Sequence, residues 1–205
     1  MSTTLTAALV AWLHALMLWA LPPERVAAVP TIEARRETAE ARSERYESIA
    51  RDVVAVVFDP DERPLFAGDD GRAKTALTLL GLTRYESDWH VDVDNGTTRG
   101  DKGRSWCLGQ VLLDAKGAKT TAEGWTGPDL VADRRKCLRV VLRMARESFV
   151  ACRALPVEER LALYARGSCE SADGRKLSRT RMALAFALLR RAAPPKPDAL
   201  TALAW

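Results

Sequence analysis

Apolar residues in this chain recur at intervals of three and four, and that period most constrains what it can fold into. Between residues 129 and 153, Val131, Cys137, Leu138, Val141, Ala145 and Phe149 fall on one helical stripe. Over 31–57, Tyr46, Ile49, Ala50, Val53 and Val57 form a second stripe, behind a Glu/Arg-rich stretch that suits solvent and i,i+4 pairing. Pro60 ends that helix, because a proline pushes the preceding residue out of helical geometry. A third helix is predicted over about 72–86, capped by Asp69 or Asp70, with Ala73, Ala76, Leu77 and Leu80 facing inward. Gly81 within it costs about 1 kcal/mol relative to Ala, a cost that close packing with a neighbour would explain. Pro156 opens a further helix ending near Gly167, and Ser178 caps the last one to about Arg191. Residues 91–105 read as a Gly/Asp-rich loop, and Trp106 to Leu113 as a helical turn or a strand. The expected fold class is mainly α.

Charge is divided unevenly along the 205 residues. Residues 1–70 carry 7 basic and 12 acidic side chains, a net of −5; residues 71–205 carry 24 and 15, a net of +9. The total of +4 is too mild to demand a polyanionic partner, and 24 Arg against 7 Lys reads as coding bias. A basic C-terminal body suits an anionic surface such as a cell-wall polymer, and equally a merely solvated one. Arg134-Arg135-Lys136 lacks a base-reading motif, so no nucleic-acid partner is expected.

All four cysteines, Cys107, Cys137, Cys152 and Cys169, lie in the basic body without a CxxC pair, and the chain has only two histidines. A metal site is therefore not expected, and disulfides or buried thiols are. Cys137 and Cys152 on one straight helix would stand about 22 Å apart at about 1.5 Å per residue. Each is thus expected to pair with Cys107 or Cys169 rather than with the other, which implies an oxidising compartment.

Leu5 to Leu21 is an apolar run closed by Pro22-Pro23, at the short limit for crossing a bilayer. No basic residue precedes it, although Val26-Ala27-Ala28 offers a small-residue cleavage site. Anchor, cleaved signal and buried or partner-binding helix all fit. The expected organisation is an apolar segment over 1–30, a helix and loop over 31–71, a helical domain over 72–192 and a tail over 193–205.

Glu86 is the residue with most chemical promise. It ends a helix, where the negative end of the dipole and the flanking Tyr85 and Trp89 favour a neutral carboxyl. A carboxylic acid kept neutral is what protonation of a glycosidic oxygen needs. Asp88, Asp92, Asp94 and Asp101 are candidate second carboxylates, with loop solvation as their simpler role. Asp92-Val93-Asp94-Asn95-Gly96 fails as a calcium loop, since glycine stands at its fifth and twelfth positions. Gly100-x-x-Gly103 lacks Walker spacing for a phosphate. Trp89, Trp106 and Trp125 suit stacking on sugars or packing in a core.

The order Tyr85-Glu86-Ser87, then Gly103-Arg104-Ser105-Trp106-Cys107-Leu108-Gly109-Gln110, then Leu163-Tyr164-Ala165-Arg166-Gly167 is similar to the soluble lytic transglycosylase domain of the goose-type lysozyme-like superfamily. The similarity spans about residues 72–190. It implies a lysozyme-like helical fold and cleavage of the β-1,4 bond between N-acetylmuramic acid and N-acetylglucosamine in peptidoglycan, without a cofactor. Residue by residue, it implies Glu86 as the single acid/base, Ser87 as the neighbour orienting it, Gln110 lining the sugar cleft, and Tyr164 reaching its hydroxyl towards the glutamate. Ring closure to a 1,6-anhydro sugar and hydrolysis both fit those residues. Gly109 stands where the family has Met, and Ala165 where it has Asn. Those departures keep a catalytically impaired, wall-binding or structural module as the alternative. The implied setting is extracytoplasmic, in the cell envelope or with a phage, with membrane contact through residues 5–21.

Overall fold

The computed structural model describes residues 2–27, 37–113 and 119–196. The predicted helix start at 31, Ala28 of the cleavage-site motif and the tail beyond 196 lie outside the described residues. In chain order the elements are α1 (Thr3–Ala20), α2 (Pro23–Ala27), α3 (Ala39–Val57), α4 (Gly71–Ser87), α5 (Val91–Asp94), α6 (Gly100–Gly103), β1 (Ser105–Trp106), β2 (Val111–Leu112), α7 (Gly127–Ala132), α8 (Arg134–Ala151), α9 (Ala162–Arg166) and α10 (Ala172–Arg191). The protein is mainly α, and among the described residues a two-stranded antiparallel hairpin pairs Ser105 with Leu112 and Trp106 with Val111.

Helix α4 is the axis of the molecule. Every residue from Thr75 to Thr83 is buried, as befits a helix apolar on all sides. Its threonines satisfy their hydroxyls internally: Thr75 donates to the Gly71 carbonyl, Thr78 to Lys74 and Thr83 to Leu79. Against α4 lies α10, and Gly81 explains how closely. A Cβ on Gly81 would stand 2.8 Å from the Arg181 carbonyl oxygen, so only glycine admits α10 at this distance.

Three boundaries differ from expectation for local reasons. The helix predicted over 129–153 breaks at Asp133, whose extended backbone closes α7 and whose carboxylate accepts from the Arg135 N–H to cap α8. Ser178 lies inside α10, and the cap is Ser171, which accepts from the Gly174 N–H. Ser178 instead donates to the Glu158 carbonyl and accepts from the Leu161 N–H, tying α10 to the turn before α9. Pro156 opens only a short 3-10 turn, Val157–Glu159, while Gly167 at φ 69° closes α9 as expected.

The N-terminal apolar segment is not separate from the body. Leu9, Val10, Trp12, Leu13, Leu16 and Met17 of α1 belong to the same core as α3, α4, α8 and α10. Trp12 donates its indole N–H to the Ala192 carbonyl at 3.1 Å, and His14 meets Ser43 at 3.2 Å. By length and composition α1 is also able to cross a membrane, so one helix meets both demands.

The charge asymmetry of the chain resolves inside the fold. Arg134 of α8 grips Asp94 through two hydrogen bonds of 2.9 and 2.7 Å and Asp52 of α3 through a third of 2.6 Å. Arg135 also binds Asp52, Arg139 binds Asp59, and Arg146 binds Glu62. The basic C-terminal half thus finds much of its anionic surface in the acidic N-terminal half, and Arg134-Arg135 is committed to it. Arg134→Met should therefore cost about 3 kcal/mol, the low end for breaking a buried pair, because it strands the little-exposed Asp94 and leaves Asp52 to Arg135 alone. Urea unfolding should show the midpoint falling at unchanged slope; an unchanged midpoint would assign the pair no weight.

Asp129 completes a capping box with Thr126 at the start of α7. Hydrogen bonds from the Thr126 hydroxyl and N–H hold its carboxyl below the usual carboxylate range. A depressed folded-state pKa gives stability that is present above the unfolded value near 4 and lost as pH falls through the folded one. Asp129→Asn should accordingly flatten the acid limb of a thermal-unfolding pH profile, and an identical limb would refute this.

Candidate functional site

Glu86 sits in the last turn of α4, which terminates at Asp88 in a left-handed conformation, φ 51°. With Tyr85, Ser87, Asp88, His90 and Asp92 it lines an open groove of about 500 Å³. Behind it comes Arg181 from α10: its Nη2 donates to Glu86 Oε1 at 2.6 Å, with the Arg side chain 8% exposed and the Glu side chain 21%. A little-exposed guanidinium from α10 is thus the direct partner of the Glu86 carboxylate.

The other expected residues arrive on two separate arms. The hairpin turn carries Gly109 and Gln110, with Cys107 and Gln110 both at positive φ, 57° and 47°. Such conformations are strained for non-glycine residues and need surrounding structure to hold them. The support is visible. Cys107 is disulfide-bonded to Cys137 of α8, the Gln110 side-chain amide donates to the Cys107 carbonyl at 3.4 Å, and its Oε1 occupies the space a Cβ on Gly100 would need. The second arm is α9, whose Tyr164 donates its hydroxyl to the Gly109 carbonyl at 3.3 Å. Cys152 to Cys169 fastens the connection after α9 to the end of α8. Both disulfides follow the expected cross-pairing.

Tyr164 therefore stands between Gly109 and Glu86. Burial pushes its phenol far above the ordinary range, the Glu86 charge adds to this and Arg181 opposes it. It stays a neutral hydroxyl at any physiological pH. Its hydrogen bond goes to Gly109 rather than to the glutamate it neighbours electrostatically.

Ser87, expected beside Glu86 as its orienting neighbour, donates its hydroxyl to the Thr83 carbonyl one turn back. The residue that holds Glu86 is Arg181, unforeseen from the sequence. One signal was available: Arg181 shares the buried stripe of α10 with Ser178, Met182, Ala185 and Leu188, and an arginine on such a stripe needs an anion.

The candidate second carboxylates are engaged elsewhere. Asp88 pairs with Arg84, Asp94 with Arg134, and Asp101 accepts from the Ser105 hydroxyl at 2.5 Å. Asp92 is buried, with His90 at 3.7 Å. The tryptophans are largely structural. Trp89 is fully buried, donates to Thr83 and meets Tyr46 edge-on at 5.2 Å, so it cannot stack on a sugar. Trp106 packs on Gly127 and beneath Arg99. Among the described residues no group of three or more His, Cys, Asp or Glu could hold a metal ion.

Gly109 has its own constraint: a Cβ there would lie 2.1 Å from Val141 Cγ2 on α8. Gly109→Met, the residue of the similar family, should overpack the α8 contact and destabilise by about 1–3 kcal/mol. Adding Val141→Ala should recover part of that in thermal unfolding; a stable single variant would show that the hairpin shifts freely.

No protein-family model, curated protein or solved structure matches the chain.

Proposed function

We propose that this protein is a lysozyme-like muramidase or lytic transglycosylase that cleaves peptidoglycan with Glu86 as its single general acid/base. One observation carries the reading. Tyr164 donates to the Gly109 carbonyl and lies near enough to feel the charge of Glu86, which lines the groove, so three segments that the sequence similarity joins but the chain separates meet in one neighbourhood. Convergence of three distant motif segments is not demanded by helix packing alone.

In the proposed reaction protonated Glu86 donates its proton to the glycosidic oxygen as the anomeric carbon–oxygen bond breaks. The acetamide oxygen of the substrate's own muramic acid residue bonds to the anomeric carbon in its place. The Glu86 carboxylate then takes a proton from the 6-hydroxyl, whose oxygen displaces the acetamide and closes the anhydro ring. Water in place of that hydroxyl yields a reducing end. Either way Glu86 ends protonated, as it began. The neutral Tyr164 hydroxyl, fixed on Gly109, supports the turn that carries Gln110 beside the glycan. Two disulfides fit an oxidising, extracytoplasmic setting, and α1 fits an export or anchoring role beside its packing role.

Clearing of purified cell walls tests the reading, and mass spectrometry of the released muropeptides separates anhydro from reducing ends. The second reading is a wall-binding module without chemistry. The Arg181–Glu86 pair favours it, since a little-exposed ion pair between α4 and α10 has a structural use that needs no chemistry. Protein that pellets with walls yet never clears them would establish that alternative.

A further inference from the structure

We propose that Arg181 is the positioning residue for Glu86, anchoring Oε1 so that Oε2 is the oxygen that carries the transferable proton. This rests on the glycan-cleaving reading above. The Arg181 bond goes to Oε1 alone, and Oε2 has no partner among the described residues. Since Glu86 also lines the groove, its free oxygen is the one left for a ligand there.

The geometry follows from the glycine contact. The Arg181 backbone passes α4 at Gly81, where a Cβ would crowd its carbonyl, five residues before Glu86. Five residues of helix span about 7.5 Å at about 1.5 Å each, a distance an extended arginine bridges along the helix axis. Gly81 thus sets the separation of α4 and α10, and the length of the Arg181 side chain sets the height at which Glu86 is held. Because the bond uses a single Nη, a shorter cation can replace part of it, whereas a neutral side chain of similar volume cannot. A bare structural pairing predicts something different: stability would move with either partner, while the chemistry of the folded fraction would not.

The test compares Arg181→Met, Arg181→Gln and Arg181→Lys in the full chain, on purified cell walls, with folded fraction measured alongside. Arg181→Met should lower kcat roughly 10-fold to 100-fold, the scale on which a misplaced catalytic group loses rate, with KM changed less than about twofold. Arg181→Lys should recover to within about fivefold of the parent. Should Arg181→Met fail to fold, the order parent, then Lys, then Gln in kcat carries the same prediction. Parent-like kcat in the Met or Gln variant, or losses that merely track unfolded protein, would overturn the positioning role and leave the glycan-cleaving reading intact. A parent that clears walls no faster than Glu86→Gln would overturn that reading itself, and the role of Arg181 with it.

Discussion

Glu86→Gln should lower the rate of wall cleavage by roughly 10²–10⁴-fold, the usual contribution of a positioned proton donor and acceptor. Glutamine keeps the shape of the side chain, and its carbonyl oxygen can still accept from Arg181 at the present Oε1 position. What it loses is the ability to carry a proton on the other atom. Stability answers to two opposing terms. Removing a carboxylate from the negative end of α4 is neutral or mildly favourable. Leaving Arg181, only 8% exposed at its side chain, without a counter-charge is unfavourable. The structure therefore replaces a simple expectation of unaltered folding with a modest loss. Cleavage should be followed by turbidity under conditions where urea titration shows both proteins fully folded. Tyr164→Phe should cost less, since its hydroxyl supports the Gly109 carbonyl rather than the reacting atoms. Equal clearing by Glu86→Gln and the parent would end the assignment.

Much of the fold was legible because it depends on local period. The inner faces of α3, α4 and α8 follow the apolar spacing, and Gly81 announced the close approach of a neighbouring helix before the neighbour was known. For the polar residues the misreadings share a physical origin, which is that the partner lies far along the chain. Ser178 resembles a cap, but its hydroxyl serves Glu158 and Leu161, seventeen and more residues away. Asp94 resembles a loop carboxylate, but Arg134, 40 residues on, makes it structural. Arg181 meets Glu86 across 95 residues, and nothing periodic links them. Trp89 suits a sugar or a core by sequence, and the Thr83 hydroxyl, accepting from its indole N–H, goes with the core. The positive-φ turn at Cys107 and Gln110 was equally hidden, since neither residue type advertises that conformation.

Loss of either disulfide should destabilise the protein by roughly 3–4 kcal/mol, as loop-closure entropy gives for the sequence separations of 30 and 17 residues. For a chain of this size that is a fall of about 6–16 °C in Tm, since about 1 kcal/mol moves Tm by about 2–4 °C. The two bridges should then separate by function. Cys107–Cys137 pins the turn that bears Gly109 and the strained Gln110 onto α8, so paired Ser substitutions there leave that turn to non-covalent contacts alone. Cys152–Cys169 fastens the connection between α9 and α10, while Tyr164 of α9 keeps an independent tie, its N–H donating to the Ser148 hydroxyl. At a temperature where both variants remain folded, Cys107→Ser/Cys137→Ser should therefore lose more wall-cleaving activity than Cys152→Ser/Cys169→Ser. Calorimetry with and without reductant, alongside thiol counting, measures the stability part. Four titratable thiols in untreated protein made in an oxidising compartment, with Tm indifferent to reductant, would remove the bridges from the account of both fold and site.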